Sequence, residues 1–418
     1  MPKSSSRDIK SHAEKLLRDS RLNESRGVYQ VLIDAGSRDP EVNLAYAGLC
    51  ARLGNEDAAH RHLSEYYRDN PLGPLPDGVG ADDARLLYVR GFDKTYPMIG
   101  LDREDRPIAR LRGGHFTLQY LMQGDNTARQ SLTLLPDSLI EASHLPPHAL
   151  LLNTISDVDL EARSLESLDR FLRQNPDEYV INSPKVVLQT GRDQNHERLS
   201  GLAAVQFPRT VRVTLSNHSS NEIVQMAEKL SFSMPYIFRQ AGTHTGRETL
   251  LVSTPETLQG WAPSPLTGDY YLIDYHPVLW RDEYYRKMRL FVIDGEPYPV
   301  VCHFDKVWIV HGGNRHANML GNRELMGEEV SFLSDWRSFV GSKAAQGIEN
   351  VIRDTPLEFF GIDFNVADDG CALIYELNAT MRHSFEHAEL FPYKQPFDEA
   401  ISQAFQDMVA RHSRMAQG

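Results

Sequence analysis

The segment with the clearest chemical content is FFGIDFNVADDGCALIYELN, in which oxygen-bearing side chains stand inside two apolar runs. The pattern predicts two strands, Glu358–Val366 and Ala372–Asn378, joined by a turn at Asp368–Gly370. Each strand carries polar residues that would be out of place in a plain buried sheet. The candidate ligands of a metal ion are Asp363, Glu376 and Asn378.

These three residues could converge on one divalent ion. Residues two apart in a strand share a face, so Glu376 and Asn378 point the same way and Asp363 can lie beside them. Carboxylate and amide oxygens are the ligands that Mg²⁺ takes in proteins. The alternative is that Asp363 and Glu376 are solvent-facing strand residues. Their apolar surroundings favour the metal role, because an unpaired buried charge is costly.

The G-x-D strand, the hairpin and the x-E-x-N strand resemble the metal-binding end of the ATP-grasp superfamily. The resemblance extends from about Arg85 to the C-terminus and implies an α/β (α+β) ATP-grasp fold that uses ATP and Mg²⁺. It implies a ligase in which a carboxylate attacks the γ-phosphate of ATP to give an acyl phosphate, which an amine or a thiol displaces. The alternatives are a phosphotransferase (kinase) or a non-catalytic, nucleotide-sensing scaffold.

The nucleotide-binding residues follow from the same resemblance. PYIFRQAGTHTGRE resembles the strand and glycine-rich loop that cover the triphosphate, where glycines let backbone N–H groups approach phosphate. The family usually has lysine where Arg239 and Arg192 stand, and arginine keeps the charge with a different shape; Lys185 is a nearby alternative. YYLIDYHPV resembles the hinge strand, whose Asp274 could hold the ribose or cap a turn. The implied nucleotide-binding residues are Arg192, Arg239, Gly242, Thr243, His244, Thr245, Gly246 and Asp274.

The catalytic arginine is implied by RKMRLFVIDGEPYP, which resembles the family strand with a D-x-R pattern. Here that pattern is Lys287, Met288 and Arg289. An arginine at this place stabilises negative charge on the transferred phosphoryl group, although a structural salt bridge would also satisfy Arg289. Beyond Asn378, Arg382 is predicted to be an anion clamp for the substrate.

An acceptor pocket is expected near the aromatic and histidine-rich stretch CHFDKVWIVHGGNRH. Its residues could line the pocket or be strand and loop residues without a ligand, since histidine serves many roles. A further histidine follows Arg382 and could belong to the site or to the scaffold. The candidate substrate residues are His303, Trp308, His311 and His383.

The first part of the chain has no convincing strand and predicts four short amphipathic helices, at Ile9–Leu17, Glu24–Ala35, Val42–Leu53 and Asp57–Tyr67. LAYAGLCARLGNEDAAHRHLSEYYRDNP resembles one tetratricopeptide unit, and a weaker copy precedes it. Such a region binds a partner or a peptide. Alternatively, it is a helical appendage that helps the chain dimerise or covers the main domain.

The expected domains follow from changes in texture along the chain. They are a helical tetratricopeptide-like region at 1–72, a linker at 73–84, a Rossmann-like domain at 85–190 and an ATP-grasp domain at 191–418. The last divides into a nucleotide lobe at about 208–275 and a metal lobe at about 276–418.

Composition narrows the class of partner. The net charge of −13 over 418 residues disfavours binding to nucleic acid or to an anionic membrane. The three cysteines are far apart, which argues against a zinc site or a disulfide framework and fits a reducing compartment. We therefore expect a cytoplasmic protein. The ATP-grasp resemblance implies that its substrates are a small-molecule carboxylate and an amine. A protein partner at the helical repeats and a homodimer are further expectations.

Overall fold

The computed structural model describes residues 5–75, 78–80, 83, 85–102, 104–243, 246, 248–261, 265–310, 315–379, 381, 385 and 388–416, without the side chains of residues 315 and 316. The chain divides into two compact units, and each is described by itself. The first unit comprises Met1–His115, Asn126–Lys185 and His412–Gly418, and the second comprises Phe116–Asp125 and Val186–Arg411.

The first unit begins with helices, as predicted. They are α1 (Ser6–Arg18), α2 (Leu22–Asp34), α3 (Pro40–Arg52) and α4 (Glu56–Asp69). Local sequence explains where two of them begin. Before α1, the Ser5 side chain accepts a hydrogen bond from the Asp8 backbone N–H, and the Asp8 side chain accepts one from the Ser5 N–H in return. Before α3, the Asp39 side chain caps the helix that starts at Pro40. Both arrangements satisfy amide groups that a helix N-terminus leaves without partners. A helical region at the N-terminus is confirmed, whereas its tetratricopeptide character stays a prediction.

The same unit contains a parallel sheet and a hairpin. The elements are β1 (Arg85–Gly91), β2 (Tyr96–Leu101), β3 (Pro107–Arg112), β4 (Arg129–Leu134), β5 (His148–Asn153), α5 (Val158–Gln174) and β6 (Val180–Ile181). The parallel sheet has the order β4-β1-β5-β6, and β2 pairs with β3 in an antiparallel hairpin. The strands expected in RLLYVRG, ALLLNTI and EYVINSP are observed, whereas β2, β3 and β4 were not predicted.

Helix α3 packs closely on the β2–β3 hairpin. A Cβ on Gly48 would lie 2.9 Å from the Cβ of Ile99, so only glycine allows this approach. Ile99 shares an apolar cluster with Tyr29 and Leu49 of the helices. The helical region therefore completes the core of the first unit.

The second unit is built on two sheets. After α6 (Pro184–Val187), which contains the boundary between the units, its elements are α7 (Arg192–Leu199), β7 (Val205–Gln206), β8 (Thr210–His218), α8 (Ser220–Lys229), β9 (Tyr236–Gln240), β10 (Thr249–Val252), α9 (Pro255–Trp261), β11 (Leu266–Asp274), β12 (Leu279–Trp280), β13 (Tyr284–Ile293), β14 (Glu296–Asp305), α10 (Arg315–Met319), α11 (Arg323–Ser334), α12 (Trp336–Val340), α13 (Ser342–Asp354), β15 (Phe359–Val366), β16 (Ala372–Asn378) and α14 (Gln395–Met415), whose last residues belong to the first unit. One sheet is antiparallel with the order β10-β9-β11-β8. The other has the order β12-β13-β15-β16-β7, with β14 paired to β13.

The Asp-Gly pair in LFVIDGEPYPV predicts a tight turn between two strands. The hairpin between β13 and β14 confirms this prediction. Asp294 and Gly295 have positive φ values of 48° and 82°, as a tight two-residue turn with the twist of its strands requires. The hairpin places β13 between β14 and β15, so side chains of β13 can meet side chains of both neighbours. The site described below depends on this central position.

One expected strand is absent. The sequence KVWIVHG predicted a strand, yet residues 306–310 lie outside the strands that the structure describes. The side chain of Asp305 accepts the Val307 amide at 3.3 Å and the Asn318 amide group at 3.1 Å, which turns the chain at the end of β14. The mixed α/β fold class with a preceding helical region is confirmed. None of the described helices is both long and apolar enough to cross a bilayer.

Candidate functional site

The predicted metal ligands lie on one face of the second sheet. Arg289 of β13 is opposite Asp363 of β15, and Asp363 is opposite Glu376 of β16. Residues opposite each other in antiparallel strands share a face, so these three form a row across the sheet. Asn378 follows two positions after Glu376, and its Nδ2 donates to Glu376 Oε1 at 2.8 Å. The structure therefore brings Asp363, Glu376 and Asn378 together.

Asp363 is held by two cations. Its side chain is 1% exposed, and its oxygens accept from Arg289 Nε at 2.6 Å and Arg289 Nη2 at 2.9 Å. Lys287 Nζ lies 3.0 Å from Asp363 Oδ2. Burial alone would raise the pKa of Asp363, but Arg289 and Lys287 outweigh it and hold that pKa well below its usual range. Asp363 is therefore a buried carboxylate that stays ionised.

Glu376 is held in the same way from another direction. Its Oε1 forms an ion pair with the guanidinium of Arg192, at the start of α7. Burial would raise the pKa of Glu376, but Arg192 and Arg239 lower it to about 2. Helix α7 is fixed to β16, because Asn195 Nδ2 donates to the Leu377 carbonyl at 2.9 Å. Arg192 and Arg239 thus both act on Glu376.

The glycine-rich loop after β9 is anchored by its own strand. The guanidinium of Arg239 donates to the Thr243 carbonyl, which ties the loop back onto β9. Gly242 and Gly246 both have φ of 71°, a conformation that favours glycine. A Cβ on Gly246 would lie 2.7 Å from Cγ2 of Ile309. The described part of the loop therefore approaches the segment that follows β14.

Asp274, the candidate for the ribose, is engaged in an ion pair. Its two oxygens lie 3.3 Å from Arg209 Nε and Nη2. Arg209 also donates to the Leu230 carbonyl at 2.8 Å and stacks over the ring of Phe232. This packing fixes the end of β11 and explains Asp274 as a structural residue. Its contact with a ribose stays a prediction.

Of the candidate substrate residues, His303 lies in β14 and Trp308 follows that strand. His303 is opposite Lys287 on the β13–β14 ladder and is buried. Trp308 packs edge-to-face on Tyr275, with ring centres 6.0 Å apart. The Tyr275 hydroxyl donates to the Tyr285 hydroxyl at 3.2 Å. Their role in binding a substrate stays a prediction.

Lys287 is the functional candidate that sequence reasoning missed. It was noted only as a departure from the D-x-R pattern, yet it contacts the same carboxylate as Arg289. The signal was available, because Lys287 and Arg289 are two apart in a strand and therefore share a face. The predicted residues His244, Thr245, His311, Arg382 and His383 lie outside the described residues.

The side-chain oxygens of Asp363, Glu376 and Asn378 suit a hard divalent cation. Both carboxylates are ionised, and an amide side chain stands beside them, which is the chemistry that Mg²⁺ requires. Among the described residues, no group of three or more His, Cys, Asp and Glu could hold a metal, so Asn378 would have to complete the set. An incoming ion would also compete with the cations already bound to Asp363 and Glu376.

Comparisons with known proteins gave no match to a family model and none to a curated protein. Solved structures similar to this chain include a D-alanine–D-alanine ligase from Bacillus anthracis, with 11% identity, a TM-score of 0.45 and coverage of 80% of this chain and 99% of that one. A RimK domain protein ATP-grasp from Sphaerobacter thermophilus has 11% identity, a TM-score of 0.42 and coverage of 78% and 99%. An N5-carboxyaminoimidazole synthetase from Staphylococcus aureus complexed with ADP has 11% identity, a TM-score of 0.41 and coverage of 74% of each chain.

Proposed function

We propose that this chain is an ATP- and Mg²⁺-dependent ligase of the ATP-grasp superfamily, which joins a carboxylate to an amine, or to a thiol, through an acyl phosphate. The carboxylate and the amine are small molecules, and the product is an amide or a peptide bond. The observation that carries the proposal is the row of Arg289, Asp363 and Glu376 across three adjacent strands. Two adjacent carboxylates can hold a cation, and the guanidinium beside them can meet an anion, so the row suits a metal ion with its phosphate.

Asp363, Glu376 and Asn378 are the residues that would hold Mg²⁺. The ion, when bound, would neutralise phosphate oxygens and orient them for transfer. The buried position of Asp363 supports this assignment, because its low pKa keeps it charged across the physiological range. Asn378 supports it as well, since its amide group already contacts Glu376.

The chain's own cations would supply the remaining electrostatic stabilisation. Arg289 is held rigidly by two hydrogen bonds to Asp363, and a preoriented guanidinium stabilises charge that develops during phosphoryl transfer. Arg192 and Arg239 would bind phosphate oxygens near Glu376, which they already neutralise. The loop around Gly242 and Gly246 would cover the triphosphate and exclude water from the acyl phosphate.

The experiment that tests the proposal is a screen for ATP turnover with amino acids and small carboxylic acids, with and without hydroxylamine. A ligase would release phosphate only with its carboxylate, and hydroxylamine would trap the acyl phosphate as a hydroxamate of measurable mass. Phosphate transferred to a hydroxyl without trapping would instead indicate a kinase. Binding of Mg-ATP without any turnover would indicate a nucleotide-sensing scaffold that acts through its helices.

The helical region is proposed to bind a protein partner or a second copy of the chain. Support for the proposal is limited to the resemblance of α3 and α4 to a tetratricopeptide unit. The close packing of α3 on the β2–β3 hairpin through Gly48 equally supports a structural appendage. Measuring the mass of the purified chain in solution would detect a dimer, and this result does not depend on the ligase proposal.

A further inference from the structure

We infer that Lys287 acts as a built-in cation at the Asp363 end of the site, so that the site binds polyphosphate without a divalent ion and binds the ion itself less tightly. The inference rests on the proposed function for the identity of the site, and it concerns regulation of that site by competition between an ammonium and a metal. The observation behind it is the contact between Lys287 and Asp363. The ATP-grasp resemblance does not imply this contact, because the usual residue at the position of Lys287 is acidic.

The first step is the geometry at Asp363. Arg289 occupies both oxygens of this carboxylate, and Lys287 Nζ lies 3.0 Å from Oδ2 as well. One carboxylate thus meets two cations. Because the side chain of Asp363 is only 1% exposed, water screens these charges weakly. Arg289 alone can neutralise the charge of Asp363, so Lys287 is not required for that purpose.

The second step is the charge around Glu376. Its carboxylate pairs with Arg192, and Arg239 also acts on it. Among the described side chains, four cations therefore act on the two carboxylates of the row: Arg289 and Lys287 on Asp363, and Arg192 and Arg239 on Glu376. This leaves an excess of positive charge. Such a surface attracts an anion carrying several negative charges, and it does so before any metal binds.

The third step is the conflict between Lys287 and a divalent ion. A cation that binds through Asp363 must approach the oxygen that Lys287 already contacts. Like charges that share a buried ligand repel each other. Removing the ammonium should therefore strengthen metal binding and weaken anion binding. If Lys287 formed only a structural salt bridge, its removal would change the free energy of unfolding but would neither strengthen metal binding nor weaken anion binding.

The test uses the full chain and two separate probes. Binding of Mn²⁺ alone is measured by electron paramagnetic resonance, and binding of inorganic tripolyphosphate in EDTA is measured by calorimetry. For Lys287→Met we expect Mn²⁺ to bind about tenfold more tightly and metal-free tripolyphosphate about tenfold more weakly than to the unsubstituted chain. Lys287→Arg keeps the charge, so both affinities should stay within about twofold.

A matched control is Lys343→Met, which removes a lysine whose Nζ lies 3.4 Å from Asp369 Oδ2 in an exposed pair of the same unit. Neither affinity should change in this variant. The inference is overturned if Lys287→Met leaves Mn²⁺ affinity unchanged or weaker, or if the unsubstituted chain binds tripolyphosphate only when a divalent ion is present. If Lys287→Met does not fold, Lys287→Gln serves as the neutral variant. A chain that passes both binding tests but shows no ATP turnover would refute the ligase proposal alone.

Discussion

Each unit of the molecule contains a buried carboxylate, and the two environments are opposite. In the first unit, Glu161 of α5 is fully buried. Among the described residues it accepts hydrogen bonds from neutral groups, which are the Asp93 amide at 3.0 Å, the Thr95 amide at 3.1 Å, the Thr95 hydroxyl and the Ser164 hydroxyl at 2.9 Å. In the second unit, Asp363 is equally buried but is held by Arg289 and Lys287.

The two carboxylates differ in what satisfies them: neutral donors suit a structural role for Glu161, whereas cations suit the functional role proposed for Asp363. Burial raises the pKa of Glu161 to about 7 in spite of its hydrogen bonds, whereas the cations lower the pKa of Glu376 to about 2. Glu161 is also packed tightly, since a Cβ on Gly91 would lie 2.1 Å from its Oε2. A carboxylate satisfied by neutral donors orders the chain around it. A carboxylate held by cations can exchange one of them for a metal ion.

The largest expected effect is the loss of turnover in Glu376→Gln. Glutamine keeps the shape and the contact with Arg192 but removes the charge that would hold Mg²⁺, so we expect kcat to fall about a thousandfold. Because glutamine also replaces the ion pair with Arg192 by a neutral hydrogen bond, the midpoint of thermal unfolding should fall, while the chain stays folded at the temperature of the assay. A Glu376→Gln variant with normal activity would remove the functional side of the comparison.

The next effect is a pH dependence of stability with opposite sign in the two units. Since the folded pKa of Glu161 is raised to about 7, its contribution is complete below the unfolded pKa of about 4.3 and is lost as the pH rises through 7, by about 3 kcal/mol. Glu376 does the reverse: its contribution is complete above about pH 4.3 and is lost as the pH falls towards 2.

Urea unfolding between pH 5 and pH 8 would measure the first of these windows, where Glu376 stays ionised and adds no slope. Glu161→Gln is the matched control, because it cannot titrate. Its unfolding free energy should change less with pH than that of the unsubstituted chain. Identical slopes for the two proteins would show that Glu161 does not titrate in this range.

A somewhat smaller effect is expected for Arg289→Ala. Removing the guanidinium should lower kcat about a hundredfold while changing nucleotide affinity less, because Arg192 and Arg239 remain near Glu376. Steady-state kinetics combined with nucleotide binding by calorimetry would separate the two quantities. Equal losses in kcat and in affinity would assign Arg289 to binding rather than to the transfer step.

The smallest effect is expected for Thr95→Val in the first unit. Valine removes the hydroxyl that donates to Glu161 and leaves the Thr95 amide contact in place. The free energy of unfolding should fall by about 1 kcal/mol, and kcat should not change. Loss of activity without loss of stability in this variant would contradict the structural role of Glu161.

The sequence predicted the site best where strand periodicity controls side-chain direction. The spacing of Glu376 and Asn378 sets their common face, and the Asp-Gly turn pairs β13 with β14. The sequence-based prediction failed after β14, where side-chain hydrogen bonds turn the chain although the local sequence favours a strand. The run after β14 looks like a strand, but Asp305 accepts two donors there and turns the chain.

Long-range ion pairs could not be predicted from the sequence. The contact of Arg192 with Glu376 joins residues far apart in the chain, and no local pattern indicates it. Asp274 illustrates the same limit, because its position in a hinge-like strand suggested a ligand whereas Arg209 holds it. Alternating strand and helix patterns predict the α/β arrangement of the first unit, whereas they do not predict the β2–β3 hairpin, which forms a sheet of its own.

The measurement that tests the central claim most directly is a crystal structure with Mn²⁺ and a non-hydrolysable ATP analogue, read by the anomalous scattering of manganese. The account predicts a manganese peak in contact with Asp363, Glu376 and Asn378, with the phosphates of the analogue beside Arg289. A peak elsewhere, or an analogue bound away from this face of the sheet, would contradict it.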